Sequence, residues 1–343
     1  MVWDMSDFRY DEYLRAIYDG DMPEFLLAYL ETPEMQRLRD IGLLCGSDYT
    51  KLYDNRFYYS RYDHSLAAAL LVWRFTKDMR PTLATLFHDI SSPIFSHCVD
   101  YMNGDALTQE STEAPTGEIL RRSPEIMTRL RRDGIDVSAV EDYHIYPIAD
   151  NEHPRLSADR LENTISTAMA QHGCWTIAQV ADMLNDLTIR EDEFCFRTPE
   201  TASFYAQGTA AVYAEFQTDK NKLFMQLLGD ILKMSLNEGL FTMDELYRLT
   251  EQEAMARIEE QGSARLKAVW RAFQGLDRVY ASVYKMAGKY CVSIDAKRRY
   301  IDPLCLVDGV PMRVSTVCPE AKAAIEELLA MRSAAFAYVD FDI

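Results

Sequence analysis

From Leu66 to Phe75 nearly every position is apolar: Leu66, Ala67, Ala68, Ala69, Leu70, Leu71, Val72, Trp73 and Phe75. Apolar side chains around the whole circumference describe a helix in the centre of a domain rather than on its surface. Asp63 is a candidate N-cap for it, which sets His64 in the first turn. A second apolar body, Leu83, Ala84, Leu86 and Phe87, follows a helix start at Pro81 and runs into His88-Asp89, just before Ser91-Ser92-Pro93. The pattern predicts a third helix over 156–171, with Ser157 near its cap, Ile165 and Met169 turned inward and Gly173 as its stop. Asp159 falls in its first turn. The first two of these helices are buried and each delivers polar side chains at one end, as an internal site requires. Isolated polar groups buried there would be costly unless paired or ligated.

The rest of the chain is also patterned mainly as helix. Asp7–Tyr18 and Met22–Leu30 form short opening segments rich in aromatics. Thr32 caps a helix with Pro33 at its first position, and Met35, Leu38, Ile41 and Leu44 lie along one face until Gly42 and Gly46 end it. Tyr53–Tyr59 reads equally as hairpin or loop. Residues 100–117 are polar and predict a loop with at most one helical turn, followed by a basic-faced helix over Gly117–Arg131 and an irregular stretch, Ile145–Pro154. Further helices are predicted at Asn221–Glu238, after the Thr242/Glu245 capping box, and at Ser263–Phe273 and Asp277–Met286. After Gly288 the texture changes. Tyr290–Ala296, Tyr300–Val307 and Met312–Val317 are short β-prone runs around an Asp308-Gly309 turn, and Pro319–Met331 and Phe336–Phe341 give a last helix and a last run. The expected architecture is mostly α: a helical core over 1–195, a helical extension over 196–288 and a small α+β tail over 289–343, with strands largely confined to the tail.

Composition narrows the possible partners. The chain has 343 residues, 48% of them hydrophobic, enough for a large core. Its seven cysteines form no C-x-x-C pair and suggest reduced thiols in a cytoplasmic protein. The N-terminus lacks the basic and apolar regions of a signal peptide, and no apolar run approaches a membrane span, so no membrane partner is expected. A formal net charge of −18 repels nucleic-acid polymers at long range. A small phosphorylated ligand stays possible, because a metal and a few arginines can reverse the sign locally. A homo-oligomer is equally open.

His64, His88, Asp89 and Asp159 together offer two imidazoles and two carboxylates, a set suited to one divalent metal ion, with Mn, Fe, Co, Ni, Zn or Mg all admissible. The words around them, Asp63-His64-Ser65, Leu86-Phe87-His88-Asp89-Ile90 and Ser157-Ala158-Asp159-Arg160-Leu161-Glu162, resemble the signature of the HD-domain metal-dependent phosphohydrolase superfamily. Pro93-Ile94-Phe95-Ser96-His97 further resembles the segment after the doublet in deoxynucleotide triphosphohydrolases. The resemblance covers roughly residues 33–170. It implies an HD-domain helical core, a metal held by the four residues named, and a metal-activated water that attacks a phosphate ester of a nucleotide or similar small compound. It also implies phosphate contacts for Arg61 and Arg160. Two positions depart from the triphosphohydrolase pattern: Ser92 and Gln109 stand where histidines are expected, and glutamine cannot exchange a proton near neutral pH. Glu110 beside it could act as acid or base, or orient another group. His97 reads as a satisfied core histidine or a support beneath the metal, His144 as solvent-facing, His153 as bordering the cleft, and His172 as favouring the negative end of a helix dipole. Lys297-Arg298-Arg299 reads as a solvated face, or as a nucleotide-effector surface. The alternative to an enzyme is a catalytically weak HD-domain scaffold that senses a nucleotide and signals to a partner.

Overall fold

A computed structural model of the chain describes residues 8–107, 115–295 and 297–343, and within them seventeen α-helices and seven short strands. At the centre lie α4 (Arg61–Thr76) and α5 (Met79–Phe87), packed along each other, after α1 (Tyr10–Ile17), α2 (Glu24–Leu30) and α3 (Pro33–Arg37). Apart from Asp63, every residue of α4 from Arg61 to Val72 is buried, as is every residue of α5 from Pro81 onward. Then come α6 (Cys98–Met102), α7 (Thr116–Arg122), α8 (Pro124–Arg132) and α9 (Ala158–Thr167), which packs against α4. The second half holds α10 (Ile177–Asn185), α11 (Pro199–Phe216), α12 (Asp219–Asn237), α13 (Met243–Leu246), α14 (Glu251–Gln261) and α15 (Ala264–Gly275). Finally α16 (Val314–Val317) and α17 (Pro319–Ala330) pack on α11. The protein is mostly helical, and no helix among the described residues is long and apolar enough to cross a membrane.

The strands form two small sheets. β1 (Leu187–Arg190) and β2 (Glu193–Phe196) make a hairpin, and β2 continues in parallel to β5 (Leu304–Val307), itself paired with β6 (Val310–Arg313). β3 (Tyr280–Ser282) and β4 (Cys291–Val292) flank β7 (Phe336–Tyr338), both antiparallel to it. The first sheet joins a segment just after the α4/α5/α9 core to the C-terminal region.

Several local expectations change. The cap of α4 is Ser60, not Asp63: the Ser60 hydroxyl accepts from the Asp63 amide at 3.1 Å, and Asp63 Oδ2 accepts from the Ser60 amide at 3.1 Å. This reciprocal box moves the helix start back three residues and keeps His64 close to its first turn. The helix expected over Gly117–Arg131 is two, because Ser123 before Pro124 is driven into an extended conformation (ψ 107°) and caps the second segment by accepting from the Ile126 amide. Strands also appear ahead of the tail. Glu191 and Asp192 both adopt positive φ (53° and 59°), forming a two-residue hairpin turn without the Asn-Gly signal that usually betrays one. Asp277–Met286 is not a helix. Its Tyr280–Ser282 run pairs with β7 instead, the Tyr280 and Tyr338 rings stacking at 5.3 Å.

The loop after α5 is held from three sides. Arg37 donates to the carbonyls of Ser92 (2.6 Å) and Leu249 (3.1 Å), the Ile94 amide reaches Leu246 O at 2.9 Å, and buried Glu251 accepts from the Phe95 amide (3.1 Å) and Tyr49 hydroxyl (2.7 Å). Phe95 and Ser96 take positive φ (56° and 51°), a strained conformation for side-chain-bearing residues that this frame sustains.

Burial pushes the Glu251 carboxyl from its ordinary 4.5 up to about 8, against hydrogen bonds that favour the anion. The folded chain thus keeps a proton that the unfolded chain releases at lower pH, so stability declines as pH rises through that window. Glu251→Gln should remove the decline. In thermal melts from about pH 5 to 9 the variant gains on wild type progressively, by on the order of 3 kcal/mol at the alkaline end. Parallel curves would show that this carboxyl titrates normally.

Candidate metal centre

The ends of α4, α5 and α9 meet at one point. His64 Nε2 lies 3.1 Å from His88 Nε2 and 3.1 Å from Asp159 Oδ1, while His88 Nε2 lies 3.4 Å from Asp89 Oδ2 and 3.6 Å from Asp159 Oδ1. His64, His88 and Asp89 are buried, and their ligand-type atoms lie within 4.8 Å of one another. Asp159 is the more open carboxylate, 22% exposed at its side chain against 10% for Asp89.

Each donor is oriented from behind. The Nδ1 of His64 donates to Glu162, whose Oε1 accepts from the hydroxyls of Tyr13 and Tyr59, both at 2.7 Å. His88 Nδ1 donates to Thr85 O at 2.6 Å. A carbonyl can only accept, so His88 carries its hydrogen on Nδ1 and turns Nε2 to the cluster. Asp89 is gripped by Arg61, whose Nη1 reaches both carboxylate oxygens (2.7 and 2.8 Å), and by the Ser92 hydroxyl at 2.9 Å. Arg61 Nε in turn donates to Ser96 Oγ at 3.1 Å. Sequence reasoning gave Glu162 no role. It lies one helical turn beyond Asp159 and hence on the same face of α9, which is the signal that would have found it.

Two imidazole nitrogens aimed at each other with carboxylates around them need a positive charge between them. Burial opposes charge on His64, yet Glu162 and Asp159 overcome it and push its pKa up to about 10; His88 is raised likewise against its burial by Asp89 and Asp159. Burial works against ionised Asp89 too, but Arg61 and the imidazoles hold its carboxyl well below the usual range. A divalent metal would supply that charge, and the donor set fits one.

The centre opens into a cavity of about 810 Å³. Asp159, Asn163, Thr167 and Gln171 line it at four-residue intervals. At 1.5 Å per residue this stripe runs for roughly 18 Å. Arg61 and Arg160 border the cavity too, but Arg160 is engaged with Asp150 (2.6 Å), Asn151 (2.7 Å) and Arg155 O (2.6 Å). Gln109 and Glu110 lie outside the described residues. His97 is not a core histidine: it lines the cavity, its Nδ1 2.9 Å from buried Asp100. His153 borders the cavity as expected, and His144, half-exposed, does so as well. His172 closes the turn before Gly173, and burial lowers its pKa, so it does not carry the helix-end charge expected of it.

No family model matches the chain. It is 23% identical over 325 residues to the uncharacterized protein YdhJ of Bacillus subtilis, covering 93% of each. Over 147 residues it is 28% identical to the metal-dependent phosphohydrolase cns2 of Cordyceps militaris, 42% of this chain and 41% of that protein. In fold it is similar to a phosphohydrolase from Bacteroides thetaiotaomicron, with a TM-score of 0.61 at 13% identity, spanning 93% of this chain and 96% of that one. The chain thus shares sequence with a metal-dependent phosphohydrolase over part of its length and a fold with another phosphohydrolase over nearly all of it.

The geometry predicts one tightly held divalent ion per chain, measured by metal analysis after dialysis. The His88→Ala, Asp89→Ala double variant should lose it. Glu162→Gln should weaken metal binding about 10- to 100-fold, since the partner that orients an imidazole typically matters by that factor. Because Glu162 and Asp159 favour the protonated form of His64 in the metal-free cluster, metal uptake should release protons into weak buffer and weaken as pH falls. Uptake without proton release would contradict the electrostatics described above.

Proposed function

We propose that the protein is a metal-dependent phosphohydrolase of the HD type acting on a phosphate ester of a nucleotide or similar small compound. The observation that carries this reading is the convergence of His64, His88, Asp89 and Asp159, each oriented from behind or facing the cavity, at one end of an 810 Å³ space. That space accommodates more than a bare phosphate, and its walls include the aromatic residues Tyr213, Phe216 and Phe224, suited to a flat organic group.

In this reading His64, His88, Asp89 and Asp159 hold the ion. Bound there, a divalent metal would supply positive charge to the phosphoryl group and acidify an attacking water. The chain's own residues do the rest. Glu162 and Thr85 fix the imidazoles so that only their Nε2 atoms face inward, and Arg61 with Ser92 keeps Asp89 ionised and fixed. Asp159, the open carboxylate, faces the cavity and can accept a hydrogen bond from the attacking water. His97, oriented through Nδ1 by Asp100, presents its other nitrogen for proton transfer to the departing oxygen.

A hydrolysis screen with the metal-loaded protein over nucleoside mono-, di- and triphosphates and general phosphomonoesters tests this reading. Release of phosphate or pyrophosphate that depends on added metal is expected, and no turnover of any ester would overturn it. With the substrate so found, His97→Asn should lower kcat roughly 10²-fold or more with little change in metal content, the scale of a lost general acid.

A further inference from the structure

Arg61 and Arg160, the arginines tethered beside the proposed metal ligands, are both engaged with carboxylates. Further positive charge reaches the same cavity from the C-terminal region. The run Lys297-Arg298-Arg299 lies in an irregular strap between β4 and β5. Lys297 and Arg299 line the cavity of the metal centre, whereas Arg298 is exposed and donates to Leu329 O at 3.1 Å. The strap is fixed along its length. The Lys297 amide donates to Ala106 O (3.1 Å), Gln217 Nε2 donates to Lys297 O (2.9 Å), His153 Nδ1 donates to Tyr300 O (3.1 Å) and the Asp302 amide donates to Pro154 O (3.0 Å).

Arg299 is half-buried and forms no ion pair with any described residue, in a chain of net charge −18. By contrast Arg61 faces Asp89, Arg160 faces Asp150, and Arg155 and Arg313 share Glu193. A partly desolvated guanidinium without a counter-ion is a cost unless an anion completes it. Local electrostatics agree. His153 is pushed down to about 4, first by burial and then by Arg160, Arg299 and Lys297. Arg160 and Arg299 also act together on Tyr213, which feels the charge of Asp159 as well, so the strap and the metal-centre end of α9 face the same groups.

We propose that Arg299, with Lys297 beside it, grips the phosphate of the substrate, so that the C-terminal strap completes a site whose metal-binding half comes from the first half of the chain. The identity of the anion as a phosphoryl group rests on the phosphohydrolase reading. The guanidinium presents a planar fork that matches two phosphoryl oxygens, and an ammonium at the same place keeps the charge but loses the fork.

The test is calorimetric titration of metal-loaded protein with inorganic phosphate and pyrophosphate, beside metal analysis and thermal melts. In Arg299→Gln, phosphate affinity falls at least tenfold with metal content and melting temperature retained. Arg299→Lys recovers only part of the loss, and Arg298→Gln binds as wild type does. Should Arg299→Gln fold poorly, the Arg299→Lys titration carries the test by itself. Equal phosphate affinity in wild type and a folded Arg299 variant overturns the proposal, whatever the protein hydrolyses. A wild type that binds phosphate through Arg299 but turns over no ester sinks the hydrolase reading alone, and one that neither binds nor hydrolyses sinks both.

Discussion

The contact on which the site depends is the buried pairing of Glu162 with the Nδ1 of His64. Glu162 is fully buried, and a polar group there is costly unless paired; two tyrosine hydroxyls and an imidazole are brought to it. Tyr13 comes from α1 and Tyr59 from the segment before α4, which ties the opening of the chain to α9 through one carboxylate. By fixing Nδ1, the same contact decides that Nε2 of His64 points at His88 and Asp159. A single interaction therefore couples the packing of α1 to the direction in which His64 Nε2 faces the cluster.

Around that pairing the charges are arranged in a graded way. Asp89 is nearly closed off and balanced by Arg61, while Asp159 remains open to the cavity. The loop beyond Asp89 adopts positive φ at Phe95 and Ser96, and that conformation places the Ser96 hydroxyl within reach of Arg61. The strain is sustained by Arg37 and Glu251, which come from α3 and α14 and bind the loop's backbone. Rigidity at the centre is thus supplied by elements distant in sequence that never touch the cluster itself.

Much of this was legible in the sequence because it rests on local rules. The all-apolar circumference of α4, the N-cap and first turn of α9, the capping box at Thr242 and the His-Asp doublet at the end of α5 are properties of short windows, where side-chain periodicity and backbone hydrogen bonding dominate. Those windows located His64, His88, Asp89 and Asp159 and indicated a mostly helical chain. They failed where a partner far along the chain decides the outcome. Tyr280–Ser282 is a strand because β7 lies beside it, and the hairpin at Glu191-Asp192 is stabilised by β5 on its other side.

The sequence by itself determined which side chains of metal-ligating type would meet and the helices that carry them, since residue type fixes what can bind a metal and local pattern fixes helix ends. Tertiary structure alone decided what each charge faces. Arg61 and Arg160 sit beside the cluster in sequence, yet they pair with Asp89 and Asp150, because a desolvated guanidinium is drawn to a nearby carboxylate. Lys297 and Arg299 look like surface charges in the sequence, yet packing carries them to the cavity wall. The physical reason is that electrostatic partnership depends on distance and burial in three dimensions, and neither is encoded in a short window of residues.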